Sequence, residues 1–170
     1  MLHFEEEREI ALPAALLYAV VLDVSSYPLF LPWCLGAGRA SAPGAGEVKA
    51  DIPPPLVSPD YWRLDVGWGP LRESYVSRVE GREAAGEVVS YAVAGPLRHL
   101  ENRWRIVDAG SDAESSSLVS FSVHFSFRGI LLERLAERAF VYVAREMVAA
   151  FEGRARALAA APRLEHKHRP

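Results

Sequence analysis

The sequence is poor in several things, and each shortage removes a class of protein. Cys34 is the single cysteine among 170 residues, so no intramolecular disulfide can form and a reducing compartment suits the chain. Of 19 Lys and Arg, only Lys49 and Lys167 are lysine, a skew that fits coding bias better than a binding surface. Positive charge is not in surplus: the formal net charge is -3, so no global basic field draws in nucleic acid, and DNA is not an expected partner. No apolar run approaches the roughly 20 residues that span a bilayer. The N-terminus, MLHFEEEREI, lacks the apolar stretch of a signal peptide and the Arg-rich, acid-poor character of a transit peptide, so the chain is expected to start soluble.

What remains is ordinary for a globular protein, with 50% hydrophobic and 24% charged residues. One domain over residues 1–160 is expected, followed by a polar tail, 161–170. No internal repeat is visible.

Residues 4 to 12 read as a first strand leading to Pro13, which suits the first turn of a helix. The run 14–24 carries Leu16, Leu17, Val20, Val21 and Val24 at helical spacing. Ser25 or Ser26 can cap a second short helix through Leu29 and Phe30, stopped by Pro32. Residues 36 to 46, with four glycines and a proline, must be turn in part. Four or five strands follow. In WRLDVGW, Trp62, Leu64, Val66 and Trp68 alternate with Arg63, Asp65 and Gly67. After Gly69-Pro70, residues 71 to 80 set Leu71, Glu73, Tyr75, Ser77 and Val79 on one face. EVVSYAVA ends at Gly95-Pro96, and NRWRIV follows. The clearest strand, 116–127, puts Val119, Phe121, Val123, Phe125 and Phe127 on one face and His124 with serines on the other. Short links favour antiparallel pairing.

From Ile130 to about Ala160 the period becomes helical. The predicted apolar stripe is Leu132, Leu135, Ala139, Val143, Met147, Ala150 or Phe151, and Leu158, with Glu133, Arg134, Glu137, Arg138, Arg145 and Glu152 opposite. One long helix cannot cover so many strands lying flat. The fold expected is therefore α+β and of helix-grip type: a curved antiparallel sheet wrapped around the C-terminal helix, with two short helices after the first strand. Such a wrap leaves an interior gap.

Groups for catalysis are scarce. His166 and His168 sit in the tail, His124 faces away from the phenylalanines, and His99 follows a Gly-Pro turn. Cys34, in apolar company, is expected to have a raised thiol pKa and to act as a small inert hydrophobe. Asp23 and Asp51 have no paired carboxylate, and no phosphate loop, HExxH or CxxC is present. No catalytic residue and no metal site is predicted.

Four segments, DVSSYPLFLPWC (23–34), GPLRHLENRW (95–104), SFSVHFSFRG (120–129) and MVAAFEGRA (147–155), occur together and in this order. Jointly they resemble the coenzyme Q-binding proteins of the START-like, polyketide cyclase-like superfamily. That family includes mitochondrial proteins needed for quinone function in respiration and bacterial relatives, one of them described as a ribosome-association toxin. The resemblance implies a helix-grip fold, ubiquinone as bound ligand with no other cofactor, and a non-catalytic chaperone or carrier role supporting respiratory electron transport. It also implies peripheral contact with an inner membrane, on the cytoplasmic side in a bacterium or the matrix side in a mitochondrion. A ribosome- or protein-interaction module is the alternative, and an aromatic polyketide cyclase is a third.

Three positions depart from the family pattern. Residues 49 to 61, KADIPPPLVSPDY, look like an insertion, either a cover for the cavity mouth or a plain surface loop, since consecutive prolines cannot donate ladder hydrogen bonds. Leu97 stands where the family often has Phe, and Ile106 where an aromatic is common after the Trp.

A quinone tail gains roughly 0.8 kcal/mol per CH₂ buried, so a carrier needs apolar area first and a few polar groups at the head. Trp68, Tyr75, Phe121, Phe125, Val143 and Met147 are the candidate wall, with Tyr75 or Tyr91 as donor to a quinone carbonyl. Leu29, Phe30 and Trp33, beside Leu31, are the candidate mouth or membrane contact. Because ligand pockets enclose roughly 300 to 1,000 Å³, a long polyprenyl tail is expected to be only partly enclosed.

Overall fold

The computed structural model describes residues 1–44, 51–110 and 116–161, apart from the side chains of Leu132 and Ala139. The polar tail beyond residue 161, with His166 and His168, lies outside the described residues, as does the start of the Pro-rich segment.

In chain order the elements are β1 (Leu2–Ile10), α1 (Ala14–Leu22), a 3₁₀ turn (Val24–Leu29), β2 (Cys34–Arg39), β3 (Asp60–Trp68) and β4 (Leu71–Arg82). A short 3₁₀ turn (Glu83–Ala85) leads to β5 (Glu87–Ala94), β6 (Leu97–Asp108), β7 (Ser117–Phe127) and α2 (Ile130–Ala160). The strands form one seven-stranded sheet in the order β1-β7-β6-β5-β4-β3-β2. Every neighbouring pair is antiparallel. Consecutive strands are hairpins except at the ends, where β1 returns to β7 with Leu2 opposite Phe125 and Ile10 opposite Ser117.

The alternation in β7 is the one its sequence encodes: Val119, Phe121, Val123 and Phe127 are buried under α2, while Ser120, Ser122 and His124 stand on the outer face. At its end the Glu133 carboxylate accepts from the Phe127 N–H at 2.6 Å, fixing the turn from sheet into helix. The concave face and α2 close around aromatic contacts. The Trp104 ring lies 4.5 Å from Phe121 and 4.7 Å from Phe151, centroid to centroid. Burying Phe151 stabilises the fold by about 1.5–3 kcal/mol.

Two features differ from the expectation, and one was left open by it. The stretch 36–46, expected to be turn in part, begins as strand, since Cys34–Arg39 pairs with β3 as the far edge strand. The hydroxyls of Ser25 and Ser26 do not cap the second helix. They donate to the Asp23 carboxylate at 2.6 and 2.5 Å, and these bonds hold that carboxyl below the usual range. The buried stripe of α2 is Ala136, Phe140, Ala144, Val148, Phe151 and Ala155; Phe151 is shared with the predicted stripe, and most of the rest lie one residue round from it. Phe140 and Phe151, eleven residues and three turns apart, set the azimuth of the helix. The small alanines between them let it approach the sheet. Val143 and Met147 are left half-buried at its side, and Leu135 and Leu158 are exposed.

The described part of the Pro-rich segment, residues 51–59, is largely exposed and takes the course of a surface loop, not of a cover for the cavity mouth. It crosses the convex face of β4 and β6. There Arg78 Nη2 donates to the Pro53 carbonyl at 2.7 Å, Leu56 N–H donates to Glu80 Oε2 at 3.1 Å, and Asp51 meets His99 at 3.3 Å. Beneath it, Glu80 is fully buried, 3.0 Å from Arg78 and 2.9 Å from Arg82.

Candidate functional site

Between α2 and the concave face lies a cavity of two chambers. The outer one, about 180 Å³, opens beside the turns at Gly69-Pro70 and Gly95-Pro96. Trp68, Leu71, Pro96 and Leu97 line it from the sheet side, Phe140 and Val143 from α2, and Glu73 is its one charged residue. The inner one, about 110 Å³, reaches towards the 3₁₀ turn and contains Ser77, Ser90, Asn102, Tyr27 and Cys34. Trp33, Val66, Tyr75, Leu100, Val123 and Met147 line both, so the two chambers adjoin across these six side chains. Gly95 shapes this end: at φ 113° it turns β5 into β6 so close to β4 that a Cβ would fall 2.8 Å from Cβ of Tyr75.

The structure brings together most, but not all, of the residues expected at the wall. Trp68, Tyr75, Phe125, Val143 and Met147 line the outer chamber. Phe121 does not. It is 1% exposed and packed solid between Trp104 and Phe4. Tyr91 also fails as a wall residue: it sits on the opposite face of the sheet, with the Arg78 guanidinium 4.9 Å from its ring. Alternation along β5 sends Val88, Ser90 and Ala92 inward and Tyr91 outward. The mouth group divides as well. Trp33 lines both chambers. Phe30 packs edge-on against Tyr27 and Phe151 at 5.9 and 5.1 Å, and Leu29 is 72% exposed away from the cavity lining.

Residues missed by sequence reasoning include Leu71, Leu100, Phe127 and Phe140, each of which reads simply as core. The polar set of Ser77, Ser90 and Asn102 left a signal: each stands at an inward position of an otherwise apolar strand face. Of the family departures, Leu97 falls on the cavity wall, whereas Ile106 belongs to the packed core.

The titratable groups of the inner chamber are held neutral. Burial pushes the Tyr27 and Tyr75 phenols well above their usual range. Tyr27 donates to the Val21 carbonyl at 2.5 Å. Burial also raises the Cys34 thiol to about 11, against a weaker opposing bond to the Gly36 carbonyl at 3.6 Å. Neutral phenols and a protonated thiol can offer hydrogen bonds but not a ready nucleophile. Elsewhere, His3, Glu5 and His124 bring their ligand atoms within 4.8 Å of one another on the outer face of β1 and β7, remote from the cavity lining. There the two imidazoles stack at 4.1 Å.

A curved antiparallel sheet gripping a long C-terminal helix around an apolar cavity defines the helix-grip class of binding folds. Within that class the chain belongs to the family described as polyketide cyclase / dehydrase and lipid transport, whose model matches residues 10–152. It is 28% identical over 155 residues to the mitochondrial coenzyme Q-binding protein COQ10 homolog B of Xenopus laevis, covering 91% of this chain and 58% of that one. It is 26% identical over 159 residues to the ribosome association toxin RatA of Rickettsia prowazekii, covering 92% of this chain and 97% of that one. The chain thus spans little more than half of the first relative and nearly all of the second. Among solved structures, the Zhui aromatase/cyclase of Streptomyces sp. R1128 superposes with a TM-score of 0.72 at 18% identity, covering 94% and 96% of the two chains. That likeness is one of fold.

Proposed function

We propose that this protein binds ubiquinone in the two-chamber cavity as a non-catalytic carrier, with the isoprenoid tail leaving through the mouth. The observation that carries this reading is the outer chamber itself, an aromatic- and aliphatic-walled space with Glu73 as its one charged lining residue. Neither chamber reaches the roughly 300 Å³ of an ordinary ligand pocket, while the two in series suit a ring with the start of its chain. A longer tail stays outside, which calls for a membrane surface at the mouth, where Trp68 is 41% exposed. Among the described residues no helix is long and apolar enough to cross a membrane, and the contact proposed is peripheral. The protonated phenols and thiol favour binding over turnover.

The test is direct. Protein purified from a ubiquinone-making host is extracted with solvent and analysed by mass spectrometry, and stripped protein is offered ubiquinone in phospholipid vesicles. Recovery or uptake of near-stoichiometric quinone supports the carrier; neither one sinks it.

The match to nearly the whole Rickettsia toxin favours a second reading, a ribosome-associated module. Arg134, Arg138 and Arg145, all exposed along α2, are the groups that reading would use. It predicts co-sedimentation with large ribosomal subunits, abolished by reversing those three charges.

A further inference from the structure

Asn102 stands in a row of inward side chains that crosses the sheet. Val123 of β7 and Ser90 of β5 are its direct cross-strand partners, and Phe4 and Val79 continue the row on either side. An asparagine is a poor strand residue, and in the middle of a hydrophobic face it costs stability unless its amide is satisfied. Its Oδ1 is buried and finds no hydrogen-bonding partner among the described residues. The other buried polar atoms left in this condition, on Arg78, Glu80 and Arg82, belong to the ion-pair cluster on the convex face. Asn102 alone faces the cavity, where it lines the inner chamber with Ser77, Ser90 and Tyr75. A buried, unpaired polar atom costs about 1–3 kcal/mol, and a protein that keeps one at a cavity wall has a use for it.

We infer that Asn102 is the head-group anchor: the ligand enters ring first, and an oxygen on its ring hydrogen-bonds the Asn102 amide in the inner chamber. This inference rests on the quinone-carrier reading and gives it a direction and a specificity residue. The order of the chambers supports the direction, since Ser77, Ser90 and Asn102 line the inner chamber and the outer one is apolar apart from Glu73. The amide also suits both redox states of the ring. Oδ1 accepts from a quinol hydroxyl, and a half-turn about the terminal torsion offers the NH₂ to a quinone carbonyl. The ligand class is a ring bearing para oxygens, oxidised or reduced, with an apolar chain trailing outward.

The test compares wild type with Asn102→Leu, a change of similar volume that removes the amide. The probe is ubiquinone with a single isoprene unit, oxidised and reduced, measured by calorimetry. The expected result is a loss of about tenfold in affinity for both forms together with a rise in Tm, because the variant no longer buries an unpaired oxygen. A purely structural asparagine gives the reverse, a lower Tm with affinity intact in the protein that folds. Independently, nuclear Overhauser contacts in the unaltered protein should join the ring methyl and methoxy protons to the Asn102 side-chain amide, and the isoprene protons to Trp68 and Leu71. Ring contacts at Trp68 with the chain at Asn102 overturn the orientation. If wild type binds neither form, the carrier reading falls and takes the anchor with it. If wild type binds and Asn102→Leu binds equally well, only the anchor falls.

Discussion

Phe140 of α2 meets Phe125 of β7 with ring centroids 4.6 Å apart, and both rings line the outer chamber. The contact belongs at once to the core and to the cavity wall, so one side chain sets both stability and capacity. Phe140→Ala should lower the unfolding free energy by about 3 kcal/mol, the lower end of the Phe→Ala range, because the space it vacates adjoins an existing cavity. The same variant should accept a bulkier apolar probe than wild type. Denaturant unfolding reads the first effect and probe titration the second; an unchanged midpoint would mean that the helix does not bear on the sheet at this ring.

Glu80 is fully buried between Arg78 and Arg82 beneath the Pro-rich segment. Removing one partner of a buried cluster strands the others, so Glu80→Ala should cost about 3–5 kcal/mol. The loss should be accompanied by release of the segment around Leu56, whose N–H bonds to that carboxylate. Faster amide exchange over residues 51–59 is the readout. Replacing Arg78 and Glu80 together by Met and Leu should restore part of the stability, since that pair then leaves no charge alone and Arg82 keeps Glu87 at 3.5 Å.

How much of this was legible in the sequence depended on whether the information was local. β7 was readable because its inward valines and phenylalanines alternate with serines. β2 was not, since Gly36, Ala37 and Gly38 carry no side-chain period, and its edge position is fixed by pairing with Leu64 and Arg63 of β3. The face of Tyr91 was hidden for a related reason. β5 is buried on both faces, so Val88, Val89, Tyr91, Ala92 and Val93 show no alternation. Its outer burial depends on contacts remote in sequence. On α2, apolar residues are spread over more than one face, and contact with Trp104 and Phe125 selects the stripe through Phe140 and Phe151 in place of the expected one through Leu135 and Val143. The cavity as a whole followed from counting strands against one helix. Its polar inner end was signalled by Ser77, Ser90 and Asn102 at inward positions, but that these three gather at one end follows from strand register, which no single strand's period reports.

The Cys34 thiol gives a pH signature. Its pKa rises from an ordinary 9.0 to about 11 in the folded protein, through burial. Between those values the unfolded chain releases the proton and the folded chain keeps it. Stability should therefore be unaffected by this group below pH 9 and decline as pH rises from about 9 to 11. Cys34→Ser should flatten that part of the curve. Alkylation of the native thiol by iodoacetamide should be slow at pH 8 and rise about tenfold per pH unit, and fast labelling at pH 8 would refute a buried, protonated thiol.

Val143 lies half-buried on α2 against the outer chamber and just off the buried stripe, so it can be enlarged without rebuilding the core. Val143→Trp should occupy the space that a ligand needs. The expected outcome is at least tenfold weaker uptake of ubiquinone from vesicles, with Tm changed by only a few degrees. Leu29→Ala serves as the comparison, because Leu29 is exposed and does not line either chamber. If uptake survives Val143→Trp but is lost in Leu29→Ala, the ligand does not enter between α2 and the sheet, and the apolar surface by the 3₁₀ turn holds it instead. If both variants take up quinone like wild type, the site lies elsewhere on the molecule. Loss at Val143 alone locates the passage between the two Gly-Pro turns and the first half of α2.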